Sequence, residues 1–482
     1  MKSAVSGALA LAFLAAGFGA GAACADTKAN VTGGTVVGES ADGINSFKGI
    51  PYAAPPVGEL RWKAPQPVAA WTGDKDATKF GDMCMQGRRG GGADAPGMSE
   101  DCLVLNVYAP ANAKNAPVMV WIHGGSNTGG SGQIYNGAAF AKDGIVTVTV
   151  NYRLGALGFF GHPALTKAAS ATDPLANYGL MDQTAALQWV KANIKSFGGD
   201  PNHVTVFGES AGAIDIYALL GLKTSKGLFN QAILESNITW GDSAPLAKVE
   251  EAGKALAVRA GATDTATLAD LRALPADKLI SASQGAEFPM VDGRFMTETS
   301  LQAVANGHTL DIPTVIGTNS FEASLIAARE KDPQKLVDWT NAQAGATARF
   351  IATKTAGGKS TWLYFFSYLP TAVRGTERGA NGAGHASEIA YVYGGMTRPL
   401  GGAGGATPPE PSADDKAMAV LMHSCWVAFA KSGAPKCASG PAWPKYDPKK
   451  PQLMEFGMPS GVRDNFRKTE LDAATAAEPG AK

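Results

Sequence analysis

The chain has no excess of charge of either sign. Lysine plus arginine and aspartate plus glutamate each number 42 in 482 residues. Neither a nucleic-acid surface nor a strongly charged partner is therefore indicated. Beyond the N-terminus no stretch is apolar enough to span a bilayer as a helix. No internal repeat is present, which excludes a solenoid or propeller. Histidine is scarce: His123, His162, His203, His308, His385 and His423 are all there are. No His/Cys/Asp group has metal-ligand spacing, and no metal or other cofactor is expected. Gly357-Gly358-Lys359-Ser360 resembles the end of a phosphate loop, but Thr353 stands where that motif needs glycine. The glycines from Gly125 to Gly132 have the wrong spacing for a dinucleotide turn.

What is present is apolar material, 45 % of the chain, ample for a large core. Lys2 precedes an Ala/Leu-rich run from Ala4 to Ala23, and Ala23-Cys24-Ala25 fits a small-residue cleavage site. Residues 1–25 read as a secretory signal peptide, with a lipid-modified Cys24 or a membrane anchor as weaker readings. Residues 26–482 would then be one secreted or periplasmic domain. Four cysteines remain: Cys84, Cys102, Cys425 and Cys437. An even count in an exported chain suggests two disulfides. Three pairings are possible; the local one, Cys84–Cys102 with Cys425–Cys437, closes the shortest loops and is the one expected.

Short apolar runs alternate with helical patterns. APVMVWIHGG and GIVTVTVNYRLG read as strands. In TAALQWVKANIKSFGGD, Ala186, Trp189, Val190, Ile194 and Phe197 recur at helical spacing. LFNQAILES and IPTVIGTNS are two further strands. The alternation argues for an α/β architecture, a mostly parallel central sheet flanked by helices. Residues 246–285 are Ala-rich with a helical period and read as a helical insertion over the sheet. Residues 86–97 and 394–411 are rich in glycine and expected to be loose.

The sharpest feature is VTVFGESAGA. The β-branched run Val204–Phe207 reads as a strand and Ala213–Leu220 as a helix, the context that makes G-x-S-x-G a nucleophile elbow. Ser210 is the candidate nucleophile, and the Ala211 N–H at the helix start is a candidate oxyanion donor. An elbow of this kind belongs to folds in which nucleophile, acid and histidine follow in that order. His123, His162 and His203 come too early, and His308 lies before the strand that should carry the acid. His423 falls in an apolar helical run and reads as a packing residue. His385, in the loop Gly382–Ala386, is the candidate base. Glu322, just after the strand Ile312–Ile316, is the candidate acid. Glu209 points away from the serine and reads as a structural carboxylate, paired with an arginine. Asp292 reads as a turn residue. His123-Gly124-Gly125-Ser126 follows the strand Val118–Ile122, so Gly125 and Ser126 would add two oxyanion N–H groups.

With these residues in hand, the chain resembles the type B carboxylesterases, the family that includes cholinesterases and bacterial para-nitrobenzyl esterases. FKGIPYAAPPVGELRWKAPQP, EDCLVLNVY and VTVFGESAGA are similar to its signatures, in order. NYRLGALGFF, GTNSFE and GAGHASEIAYVYG are similar to its other conserved blocks. The resemblance implies an α/β-hydrolase fold with Ser210, Glu322 and His385 as triad. It also implies a Cys84–Cys102 disulfide near the gorge mouth and a role for Ser236 in holding the acid. Ser126 departs from the third glycine of the family's loop and Asn127 from its usual aromatic. Asn127, Phe321 and Trp240 are candidate pocket-lining residues.

The expected activity is hydrolysis of small or medium neutral carboxylic esters through an acyl-enzyme, with a small-molecule ester as the only partner. Activity should fall as His385 protonates, below about pH 6–7 from the ordinary imidazole value. Two other readings stand beside it. One is a specialised hydrolase or acyltransferase for a natural-product, toxin or aromatic ester. The other is a non-catalytic binding or adhesion member of the fold, which intact residues at all three triad positions argue against.

Overall fold

Seven strands whose residues are almost all buried run parallel through the middle of the molecule. In the computed structural model the described residues are 25–87, 97–241, 243–395, 410–478 and 480. The apolar run Ala4–Ala23, Cys24, and most of both glycine-rich segments (88–96 and 396–409) lie outside them. The parallel strands are β1 (Ala116–Ile122), β2 (Val146–Val150), β3 (Gly199–Glu209), β4 (Gln231–Glu235), β5 (Thr314–Asn319), β6 (Thr361–Phe366) and β7 (Gln452–Phe456). Their spatial order is β2-β1-β3-β4-β5-β6-β7, with Val120 beside Val148 and Phe207 beside both Trp121 and Ile233. Helices cover both faces, which is why strands such as VTVTV and QAILE are buried at every position.

Antiparallel strands finish both edges. Residues 25–51 form a three-stranded meander joined to β2 through Val104–Pro110. Gly461–Asp464 pairs antiparallel with β7 at the other side. One large apolar cluster includes Val120, Val148, Leu187, Ile216 and Leu234. A second, on Trp121, Phe207, Tyr364 and Trp426, packs under the helix Ala413–Ser432. Residues 246–282 hold three helices, Leu246–Arg259, Leu268–Ala273 and Ala276–Ala282. Arg61 ties this segment down by donating to the Arg272 and Leu274 carbonyls while pairing with Glu100.

Both disulfides take the local pairing. Cys84–Cys102 has its Cα atoms 5.0 Å apart, and Cys425–Cys437 staples the helix Ala413–Ser432 to the segment after it. Among the described residues no helix is long and apolar enough to cross a membrane.

Candidate active site

The C-terminal ends of β1, β3, β4 and β5 meet at one place. Ser210 lies between β3 and the helix α1 (Ala211–Gly221), with φ 55° and ψ −122°. A non-glycine residue in that region carries roughly 1–3 kcal/mol of strain, held only if its surroundings over-determine it. They do. Its N–H donates to the Glu235 carbonyl at 2.9 Å, and its carbonyl accepts from Ile214 at 2.9 Å. The flanking glycines are dictated by the neighbouring strand. A Cβ on Gly212 would lie 2.0 Å from the Ile122 carbonyl oxygen, and one on Gly208 would lie 2.5 Å from the same atom.

The loop after β1 presses against this elbow. A Cβ on Gly124 would come within 2.6 Å of the Glu209 carbonyl and 3.0 Å of Ser210 Cβ. Gly125, Ser126 and Asn127 follow with φ of 107°, 61° and 56°. Among the described residues, the Gly125 and Ser126 N–H groups have no protein acceptor. Ala211 is the first residue of α1, where an N–H has no partner within the helix.

Glu322 and His385 are joined. His385 Nδ1 is 2.6 Å from Glu322 Oε2, and the other carboxylate oxygen accepts the Asn319 N–H at 2.6 Å. Their loops are zipped together. Phe321 N–H donates to the Ala383 carbonyl (2.8 Å), Ser320 Oγ accepts from Ala383 N–H (2.8 Å), and Ser324 Oγ accepts from His385 N–H (2.9 Å). The ring is buried, its side chain 8 % exposed. Four of the other five histidines are occupied elsewhere. His123 is buried, stacked on Tyr152 and lowered to about 4 by burial. His162 caps a helix, His308 pairs with Glu298, and His423 packs in its helix against the Val392 carbonyl and Asp143. Asp292 accepts the Leu175, Phe295 and Met296 N–H groups at a buried turn.

Four expectations need correction. Glu209 does not meet an arginine: its Oε1 lies 3.0 Å from His385 Nε2. Ser236 does not hold Glu322: its hydroxyl donates to Glu388 Oε1 at 3.0 Å. Asn127 does not line a pocket; it is fully buried, with its amide bonded to Asp215 and Glu287. Trp240 is buried against Phe350, ring centroids 5.6 Å apart, so its bulk serves the core. Phe321 remains half-buried where the acid loop meets the histidine loop.

A buried carboxylate group lies around the histidine. Burial pushes Glu209 up to about 8, and burial together with the Glu322 charge pushes Glu388 up to about 7. Burial also raises Glu235, which accepts from Trp426 Nε1 at 2.8 Å. For His385 burial opposes the charged ring, but the Glu209 and Glu322 carboxylates outweigh it and lift the group above the ordinary imidazole range. Glu388 and Asp215 were missed by sequence reasoning. The signal for Glu388 is its place three residues after His385; for Asp215 it is an aspartate inside the apolar run Ala213–Leu220.

The chain is similar to known proteins over most of its length. The carboxylesterase family model aligns with residues 25–350 and 339–474. The chain belongs to the carboxylesterase family. It is 34 % identical to the fumonisin B1 esterase of Sphingopyxis macrogoltabida over 89 % of this chain and 86 % of that one. It is 35 % identical to the para-nitrobenzyl esterase of Bacillus subtilis over 86 % and 91 %. A solved para-nitrobenzyl esterase structure superposes with a TM-score of 0.80 at 30 % identity, covering 92 % of this chain and 99 % of that one. A Geobacillus stearothermophilus carboxylesterase gives 0.80 at 31 %, covering 93 % and 99 %. The protein is thus an α/β-hydrolase-fold carboxylic-ester hydrolase, and its substrates are small-molecule esters. The non-catalytic and acyltransferase readings are not favoured.

Proposed function

We propose that this carboxylesterase hydrolyses small or medium neutral esters through an acyl-enzyme on Ser210. His385 takes the hydroxyl proton as Ser210 attacks the ester carbonyl, and Glu322 orients the ring and stabilises the imidazolium. The Gly125, Ser126 and Ala211 N–H groups receive the oxyanion of the tetrahedral intermediate. His385 then protonates the departing alcohol, and water repeats the sequence on the acyl group. The observation that carries this reading is the 2.6 Å contact between His385 Nδ1 and Glu322 Oε2, with His385 Nε2 3.0 Å from Glu209, the residue before Ser210.

The test is p-nitrophenol release from p-nitrophenyl butyrate by wild type, Ser210→Ala and His385→Gln. Turnover by wild type and background rates in both variants is the expected result. A variant retaining more than a few per cent of kcat would contradict the assignment.

The reading extends to location. Residues 1–25 are proposed to be removed on export, leaving a secreted or periplasmic enzyme, and two disulfides fit an oxidising compartment. Mass spectrometry of the exported protein should find an N-terminus near Asp26. An intact leader there would contradict it.

A further inference from the structure

We infer that Asp215, through its bond to Asn127, is a positioning residue that locks the two halves of the oxyanion site to each other. The inference rests on the assignment of Gly125, Ser126 and Ala211 as oxyanion donors.

Those donors come from two separate pieces of chain, the loop after β1 and the start of α1. β1 and β3 are paired as far as Ile122 and Gly208, but among the described residues no backbone hydrogen bond joins the loop beyond them to α1. Asp215 sits on α1, one turn beyond Ser210, and is fully buried. Its Oδ1 accepts from Asn127 Nδ2 at 3.0 Å, and its Oδ2 accepts from Gln183 Nε2 at 2.5 Å. Asn127 is the residue directly after Ser126 and is also fully buried. Its Oδ1 accepts from the Tyr152 hydroxyl at 3.0 Å, its Nδ2 also reaches the Glu287 carbonyl at 3.2 Å, and its main-chain oxygen accepts from Gly155 N–H at 2.7 Å. The Ser126 carbonyl in turn accepts from Glu287 N–H at 2.9 Å.

The consequence is a polar tie between the loop that carries two donors and the helix that carries the third. It also explains how two adjacent non-glycine residues, Ser126 and Asn127, stay left-handed. Asparagine tolerates that conformation best among residues with a side chain, and the fixed carboxamide holds it there. A carboxylate in a dry core is costly unless its oxygens are satisfied, and an apolar residue would fill the space more cheaply. Here the two amides satisfy the ionised form of Asp215. Asn127 stands where the resembling sequences usually carry an aromatic, so this tie replaces apolar packing with a directed bond.

The reciprocal exchange tests the pair. In Asp215→Leu the Asn127 and Gln183 amides lose their shared acceptor; in Asn127→Asp, two carboxylates face each other. The double variant Asn127→Asp/Asp215→Asn restores one donor and one acceptor between the positions while keeping partners for Tyr152 and Gln183. kcat and KM for p-nitrophenyl butyrate would be measured per titrated active site. Affinity for an aryl trifluoromethyl ketone, which adds serine to form a tetrahedral oxyanion, would be measured in parallel. Each single variant should lose about 100-fold in kcat, with little change in KM and a parallel loss of ketone affinity. The double variant should return to within about tenfold of wild type. Asn127→Gly, which relieves the left-handed strain and should fold, is expected to lose kcat as well. The inference is overturned by wild-type kcat in Asp215→Leu or Asn127→Gly, by a folded double variant no faster than Asn127→Asp, or by ketone affinity that does not follow kcat. Ser210→Ala, run alongside, keeps the two readings apart: an inert Ser210→Ala with a fully active Asp215→Leu removes this inference and leaves the triad standing.

Discussion

His385 Nε2 and Glu209 Oε1 stand 3.0 Å apart at the centre of the site. Glu209, the residue before the proposed nucleophile, therefore faces the proposed base, on the side of the ring opposite Glu322. Any negative charge on Glu209 favours the imidazolium and raises the pH at which the ring is free to accept a proton. Glu209→Gln keeps the shape and removes the charge. The acid limb of the kcat/KM profile should move to lower pH by about one unit, because a nearby opposite charge typically shifts a group by 1–3 units. An unchanged acid limb would show that Glu209 does not act on His385.

Buried Glu235 governs a separate pH dependence, that of stability. Its folded carboxyl is raised well above the ordinary value, whereas the unfolded one ionises normally. Between those values the native state holds a proton that the unfolded state has lost, so stability falls as pH rises from about 4.5. Glu235→Gln mimics the protonated form and keeps an acceptor for Trp426. The decline of the thermal midpoint between pH 5 and pH 8 should be shallower in Glu235→Gln, with a midpoint at pH 8 at least equal to wild type. Parallel curves would contradict the account. Glu235→Ala, which strands the Trp426 N–H and leaves a cavity, should cost about 2–4 kcal/mol at pH 5 in urea unfolding.

The glycines at the elbow divide by role. Gly212→Ala places a methyl 2.0 Å from the backbone of Ile122, in the centre of the sheet, and should lower the thermal midpoint or abolish folding. Gly124→Ala meets the Glu209 carbonyl and Ser210 Cβ instead. It should fold but lose about 100-fold or more in kcat by displacing the oxyanion loop. Equal, small effects of both substitutions on kcat and on stability would be the wrong outcome.

The sheet was legible where strands are uniformly apolar. The runs at Val118–Ile122 and Val204–Phe207 fall within β1 and β3, and Ile312–Ile316 overlaps the start of β5, because burial on both faces leaves a short apolar signature. β6, β7 and the N-terminal meander were not picked out as strands; a short apolar run such as TWLYFF does not by itself separate a strand from a buried helix. At the site, the chain-order rule singled out Glu322 and His385, and the structure joins these two. Contacts between distant segments escaped. Glu209 reaches His385, Ser236 reaches Glu388 and Asn127 reaches Asp215 across 176, 152 and 88 residues of chain (385 − 209 = 176). No spacing rule encodes those pairs; they exist only once β1, β3, β4 and β5 are side by side.

The most direct test of the central claim is covalent. Wild type would be treated with a fluorophosphonate, which phosphonylates a serine activated by a histidine base and an oxyanion site, and the labelled peptide located by mass spectrometry. The account predicts one adduct per chain, on Ser210, forming in step with loss of esterase activity and absent in His385→Gln. Label on another residue, or full inactivation with Ser210 unmodified, would contradict it.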